Sequence, residues 1–392
     1  MSKQELMLTI LMPCLNEAET LEASILEALS FFDKNKGISG EVLIADNGST
    51  DGSIEIAEKY STLGVRIAHI KTKGYGNALI GGTKEALGKY VVMGDPDNSY
   101  DFFHLLPFIE RLEAGDDLVM GNRFKGGIED GAMPPLHRYL GTPVLSFIGR
   151  LFYHNKIGDF NCGLRGYNRD RILALHLRTS GMEYASEMIV QSSLHNYKIS
   201  EVPTVLRVDG RSTKPHLSTW SDGWRHLRFL LMYSPKWLFL YPGLFMFVIG
   251  IIGMAVLSQG PVRINSVNLD INTLLYSGGL TIAGIQAVLF AVFAYIYANT
   301  TSYFPVVDKL SEKIEKLTVE KGIVVGLIIF IIGLILAIFS VVIWSRSSFQ
   351  NLNPLKVMKI TIPAMICMIS GIQILFGSFL AGILKIKRND ND

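Results

Sequence analysis

The residues best suited to chemistry fall in three short loops, each directly behind an apolar run. Pro13-Cys14-Leu15-Asn16-Glu17 follows residues 6–12, Asp46-Asn47-Gly48-Ser49-Thr50-Asp51-Gly52 follows 41–45, and Asp95-Pro96-Asp97 ends 89–94. Two carboxylates one residue apart, on a loop leaving a buried strand, can hold Mg²⁺ or Mn²⁺ shared with a diphosphate. Such an ion neutralises charge building on a departing nucleoside diphosphate. Asp46 ends its strand and can accept hydrogen bonds from a base or ribose, while Gly48 lets the backbone approach closely. Lys73-Gly74-Tyr75-Gly76-Asn77 sets a cation and two glycines before a helix N-terminus, the ingredients of a phosphate cradle. It is not a Walker A loop, because Gly-Lys-Ser/Thr is missing.

These loops need elements to hold them. Residues 6–12 form a continuous apolar run that reads as a buried parallel strand. Asn16 is expected to cap the next helix, whose apolar stripe is Leu21, Ile25, Ala28, Leu29 and Phe32. Strands at 41–45, 65–70, 89–94 and 117–121 alternate with helices at 54–60 and 77–87. That alternation implies an α/β domain around a parallel sheet with covered faces, whose ligands bind at the carboxyl ends of the strands.

The second half has a different solvent. Residues 237–257, 273–298, 323–344 and 362–384 are apolar and carry no Asp, Glu, Lys or Arg in their interiors. Each is near or above the ~20 residues a helix needs to cross a bilayer. They account for a hydrophobic content of 49%. A net charge of +2 with both signs mixed gives no case for nucleic acid. Cys14, Cys162 and Cys367 show no metal-ligand spacing and read as reduced thiols.

Basic residues bias the orientation. Arg225, Arg228 and Lys236 precede the first span, Lys309, Lys313, Lys316 and Lys321 lie between the second and third, and Lys385, Lys387 and Arg388 follow the fourth. The positive-inside rule then puts the first domain, the middle loop and the C-terminus in the cytoplasm. No apolar leader precedes the first strand, in keeping with that side. Between the halves, Trp220, Trp224, Leu227, Leu231 and Met232 recur at helical spacing among Arg225, His226 and Arg228, which reads as an interfacial helix on the inner leaflet. The expected division is a catalytic domain at 1–217, the interfacial helix at 218–235, a four-helix transmembrane domain at 236–385 and a tail at 386–392.

With these loops in this order, the chain resembles the inverting family 2 glycosyltransferases of GT-A fold, particularly the polyprenyl-phosphate branch typified by dolichyl-phosphate mannose synthase. The resemblance runs from about Leu8 to Lys214. It implies that Pro13, Asn16 and Glu17, with Asp46, Gly48, Ser49, Lys73 and Gly74, bind a nucleotide-sugar donor, and that Asp95, Asp97 and Ser99 ligate the metal. Ser99 stands where the family often has Gln, a longer ligand. Gly121-Asn122-Arg123-Phe124 and Asn161-Cys162-Gly163-Leu164-Arg165 resemble loops that meet a lipid phosphate, with Cys162 where a Ser is common. Arg207, Gly210, Arg211, Ser212 and Lys214 resemble a segment near the donor diphosphate, with Arg211 and Lys214 as donor ligands.

A polyprenyl monophosphate has a second pKa near ~6 and is already largely anionic at neutral pH. It needs cations more than a general base. Arg123, Arg138 and Arg165 are the expected acceptor contacts, and Asp95, Asp97, Arg123 and Arg165 the expected catalytic set. The expected function is inverting transfer of one sugar from a UDP- or GDP-sugar to a membrane polyprenyl phosphate, for glycan assembly. Two rivals are a processive polysaccharide synthase, whose Gln-x-x-Arg-Trp motif does not occur here, and a non-catalytic flippase or scaffold. The spans also offer a surface for a homo-oligomer.

Overall fold

The computed structural model describes residues 6–212, 219–300, 309–351 and 353–386. The chain divides into two compact units, Met1–Tyr233 and Ser234–Asp392. In the first, seven strands form one sheet: β1 (Leu6–Cys14), β2 (Gly40–Asp46), β3 (Val65–His69), β4 (Gly88–Met93), β5 (Leu118–Asn122), β6 (Arg165–Asn168) and β7 (Ile199–Pro203). Their order is β3-β2-β1-β4-β6-β5-β7, with β6 antiparallel to both its neighbours and the other pairs parallel. This is the mostly parallel α/β sheet of the GT-A fold. β6 and β7 were not among the expected strands, because Arg165-Gly166-Tyr167-Asn168 and Ile199-Ser200-Glu201-Val202-Pro203 have no apolar run.

The sheet is apolar because both faces are covered. Leu8, Ile10, Met12, Val42, Ile44 and Val92 belong to a core cluster that also takes in Leu21, Ile25, Ala28 and Phe31 of the Leu21–Lys34 helix. Leu29 and Phe32 pack at its margin. Asn16 does not cap that helix. The cap is Thr20, and Asn16 adopts a left-handed φ of 60° and accepts a hydrogen bond from Thr50 N at 2.8 Å. Its side chain joins two loops instead.

Two further helices pack on the first unit, Thr142–Tyr153 and Thr219–Met232. The Tyr153 hydroxyl donates to Leu230 O at 2.7 Å, Ser186 Oγ meets His226 Nδ1 at 2.8 Å, and Leu230 is buried. One face of the expected interfacial helix is therefore packed on the catalytic domain, while Trp224, Arg225, Arg228 and Met232 lie on the exposed side.

Among the described residues, the second unit holds four helices long and apolar enough to cross a membrane: Lys236–Gln259, Ile271–Thr300, Val319–Arg346 and Pro354–Lys385. Small residues let them meet closely. Gly250 lies against Thr281 and Ser277 and Gly243 against Gly284 and Ala287, so the first two spans are antiparallel. Gly326 faces Gly371 and Leu375, and Gly333 faces Ala364 and Met368, which makes the last two antiparallel as well. The second and fourth run parallel, with Gly278 on Ile366, Gly377 on Leu289, and Gln373 donating to Gln286 at 3.0 Å between them. A short hairpin, β8 (Val262–Ile264) with β9 (Val267–Leu269), joins the first span to the second.

A Cβ added at Gly326 would stand 2.7 Å from the Gly371 carbonyl oxygen. Gly326→Val is expected to separate the third and fourth spans and cost about 1–3 kcal/mol, read as a lower melting temperature of the purified protein in detergent. An unchanged melt would show that the helices do not meet at these glycines.

Candidate active site

Parallel register brings the predicted loops to one edge of the sheet. Cys14 lies opposite Asp46, Asp46 opposite His69, and Leu11 opposite Met93, so the chains leaving β1, β2 and β4 emerge side by side. Pro13 is buried opposite Ala45. The first two loops are hydrogen-bonded together: Asn16 N donates to Ser49 Oγ at 3.1 Å, Glu17 N to Ser53 Oγ at 2.9 Å, and Ala18 N to Asp51 Oδ2 at 3.0 Å.

Asp46 is not the free acceptor its sequence position implied. Its carboxylate is 3% exposed and accepts from Ser49 N at 2.9 Å and Gly48 N at 3.2 Å, with His69 Nδ1 at 3.3 Å. Burial raises its pKa, but bonds from Ser49, His69 and Gly48 outweigh that and hold it below the usual carboxylate range. Asp46 shapes the loop that carries Gly48 and Ser49. Gly48 has a φ of 93° and faces Lys73 Nζ, 2.9 Å from where a Cβ would sit. The left-handed φ favours glycine at this position, whereas the exposed Lys73 side chain could give way.

The glycines after Lys73 serve a different purpose from the one expected. Gly76 N donates to Ser180 O at 2.9 Å, and a Cβ at Gly74 or Gly76 would overlap the carbonyl oxygens of Ser180 and Thr179. They admit a neighbouring loop, not a phosphate. Glu187 is buried and fixes that loop by accepting from Arg178 N, Thr179 N and Thr179 Oγ1. Lys73 itself is exposed, and Asn47 anchors the segment by donating to Ile70 O and Thr72 O and accepting from Gly74 N at 2.7 Å.

At the end of β4, Asp95 and Asp97 stand close enough to repel. Burial pushes the Asp95 carboxyl up and the Asp97 charge adds to it, while the Tyr75 hydroxyl bonds to it and pulls the other way. Asp97 Oδ1 accepts from Ser99 N at 3.0 Å and Ser99 Oγ at 2.5 Å. Ser99 therefore braces Asp97 and does not extend the ligand set. Among the described residues no group of three or more His, Cys, Asp or Glu side chains forms a metal cage. Two carboxylates that resist being charged together nevertheless fit a hard cation whose other ligands are phosphate and water.

Arg211 lies over this pair. It donates to both oxygens of Glu17 at 2.8 Å and sits 3.4 Å from Asp97 Oδ2 and 3.6 Å from Asp209 Oδ2. Lys214 lies outside the described residues. On the expected acceptor side, the structure corrects three assignments. Arg165 is fully buried and donates to the carbonyls of Cys162, Phe160 and Ala185, so it pins β6 and cannot reach a substrate. Arg123 is clamped by Asp159, with Nε at 2.7 Å and Nη2 at 2.8 Å, and its partner is completely buried. Cys162 is also completely buried, its thiol directed to Leu164 O at 3.7 Å and pushed up to about 12 by burial. Arg138 alone of the expected acceptor group is half-exposed without a carboxylate partner among the described residues, its guanidinium 5.7 Å from the Tyr139 ring.

This geometry agrees with what the chain is similar to. The model for glycosyl transferase family 2 matches residues 9–173, and that for the glycosyltransferase family 2 C-terminal transmembrane region matches 292–385. The low-salt glycan biosynthesis hexosyltransferase of Haloferax volcanii is 33% identical over 386 residues, 96% of this chain and 89% of that one. The chain belongs to glycosyltransferase family 2. A dolichyl-phosphate hexose transferase of the same organism is 28% identical over 207 residues, 53% of this chain and 86% of that one. A crystal structure of glucosyl-3-phosphoglycerate synthase from Mycobacterium tuberculosis aligns at 19% identity over 58% of this chain and 78% of that one, with a TM-score of 0.45. This glycosyltransferase is an integral membrane protein.

Sequence reading missed two features of the glycosyltransferase. Asp159 gave no signal, since only the fold brings it to Arg123. The other was legible: Leu136, Leu140, Val144, Phe147 and Leu151 recur at helical spacing, and all are exposed on and just before the Thr142–Tyr153 helix. Arg123→Ala should leave Asp159 buried without its cation and destabilise the enzyme by about 3–5 kcal/mol, read in a thermal melt. Adding Asp159→Asn should recover part of that loss. A single variant as stable as wild type would return Arg123 to the list of substrate contacts.

Proposed function

We propose that this glycosyltransferase moves one hexose, with inversion, from a nucleotide-sugar to a membrane polyprenyl phosphate. The observation that carries the acceptor is Arg138, a half-exposed cation beside Leu136, Tyr139 and Leu140, all exposed. A cation set in apolar surface suits a phosphate that trails a hydrocarbon chain. The hexose and the glycan role are supported by similarity along nearly the whole chain to a hexosyltransferase of glycan biosynthesis, and the lipid phosphate by similarity over 53% of the chain to the dolichyl-phosphate hexose transferase.

The donor is proposed to lie over Asn16, Glu17, Gly48, Ser49 and Lys73, with its diphosphate near Asp95, Asp97 and Arg211. Asp95 and Asp97 would hold Mg²⁺ or Mn²⁺, which when bound offsets the charge of the leaving diphosphate. Arg211 adds a fixed positive charge at 3.4 Å from Asp97. The lipid phosphate is ionised at neutral pH, so no side chain has to take its proton. Arg138 would hold it against repulsion from the donor. The exposed faces of the Thr142–Tyr153 and Thr219–Met232 helices, with Phe147, Trp224 and Met232 and with Arg225 and Arg228, would rest on lipid headgroups. The basic-residue bias supports an orientation with the catalytic domain, the 301–321 loop and the C-terminus in the cytoplasm.

The decisive assay supplies the purified enzyme with a panel of nucleotide-sugars, a divalent ion and a short polyprenyl phosphate. One sugar per lipid phosphate is expected; a polymer, or turnover indifferent to the lipid, overturns the reading. Asp97→Ala should lower the rate ~10³-fold or more. Arg138→Ala should raise the requirement for lipid phosphate about tenfold or more while donor binding stays near wild type, the loss of one charged contact. Reporters at the C-terminus and in the 301–321 loop should both be cytoplasmic, and one near Asn268 external. A C-terminal reporter outside would remove one of the four spans.

A further inference from the structure

The segment from Arg207 to Ser212 crosses the metal loop and is tied down along its length. Arg207 N donates to Ser99 O at 2.9 Å, and its guanidinium pairs with Glu27 at 2.7 Å and Asp101 at 2.9 Å. Gly210 N donates to Asp97 O at 3.0 Å, and Ser212 donates to both oxygens of Glu19, from N at 2.9 Å and Oγ at 2.5 Å. Arg211 is the member that faces the site. Three carboxylates surround it, and they are not equal: two bonds of 2.8 Å go to Glu17, against single contacts of 3.4 Å to Asp97 and 3.6 Å to Asp209. Glu17 is itself fixed, its N–H on Ser53 and its carbonyl oxygen accepting from Thr20 and Leu21.

A guanidinium that near to Asp97 is a rival of any cation there. Its ion pair with Asp97 stays a single contact of 3.4 Å because Glu17 offers a fork that matches its own, and bidentate geometry outweighs a single longer contact. We propose that Glu17 is a positioning residue that holds Arg211 beside the metal loop while leaving Asp97 available to a divalent cation. The proposal rests on the metal assignment made above to Asp95 and Asp97. Without the Glu17 charge, Arg211 moves onto Asp97 and competes with the ion directly. This role also explains a carboxylate in the first donor loop, where a charge of the same sign as the diphosphate would otherwise oppose it.

The test is Mn²⁺ binding to the full-length enzyme in detergent, read from the free-ion electron paramagnetic resonance signal with no donor or acceptor present. Glu17→Gln keeps the shape and should weaken Mn²⁺ about tenfold. Adding Arg211→Ala to Glu17→Gln should bring the affinity back to within about threefold of wild type, because the competitor is gone. Glu17→Asp retains the charge and should lie between wild type and Glu17→Gln. Thermal melts of each variant identify any that fail to fold, and the Asp variant carries the test if the Gln variant does. If the double variant binds no better than Glu17→Gln, Glu17 acts by its own field and the positioning role is wrong. Unchanged affinity in Glu17→Gln, with Asp97→Ala still abolishing binding, overturns the role and leaves the metal assignment standing. No Mn²⁺ binding by wild type, either alone or with a nucleoside diphosphate added to supply the remaining ligands, overturns both.

Discussion

Mutual repulsion between Asp95 and Asp97 is the constraint around which the catalytic edge is organised. The pair sits where β4 ends, with Asp97 buried and Asp95 little exposed, and the surroundings are arranged to tolerate it. Tyr75 bonds to Asp95, Ser99 bonds twice to Asp97, and Arg211 pairs with Asp97 by a single contact of 3.4 Å. With Glu17 and Asp209 added, carboxylates outnumber the single guanidinium. Excess negative charge in a mostly buried place attracts a compensating cation, and that is the ground for the divalent ion proposed at Asp95 and Asp97.

The parallel sheet makes that arrangement possible. β1 pairs with β2 on one side and β4 on the other, so three chain segments end at one level and their loops must touch. The contacts are then made by small polar residues, Ser49, Asp51 and Ser53, which bond to the backbone of Asn16, Glu17 and Ala18. Several residues that look like ligands by type are in fact builders of the site. Asp46 shapes its own turn, Asn47 ties the Lys73 segment down, and the glycines at 74 and 76 admit the Thr179–Gly181 backbone. Removing any of them would disturb this edge of the sheet without removing a proposed ligand.

The arginines divide in the same way. Arg165 has no exposure and satisfies three carbonyl oxygens, and Arg123 neutralises a buried aspartate. Arg165 ties backbone together, and the Arg123–Asp159 ion pair is costly to break because the surviving charge would be stranded. Of the three arginines expected at the acceptor, Arg138 is the half-exposed one, beside the exposed Leu136, Tyr139 and Leu140. In the membrane unit the economy is of size and not charge: glycines at 243, 250, 326, 333 and 371 bring backbones together where there is no water to drive association.

Local pattern determined a good deal of this protein. Apolar runs of strand length, each ended by acidic or glycine-bearing turns, are enough to specify an α/β sheet with a site at its carboxyl edge, and four charge-free stretches are enough to specify spans, since both signals depend only on neighbours in the chain. The exposed stripe from Leu136 to Leu151 was equally available to such reading. What the tertiary structure alone decided is the partner of each charged group. Glu17 and Arg211 are 194 residues apart and Arg123 and Asp159 are 36 apart, and nothing near either member announces the other. A charged side chain is the same residue whether it meets a substrate or a buried carboxylate, because its role is set by burial and by the opposite charge folding brings to it, and neither is written in the adjacent sequence.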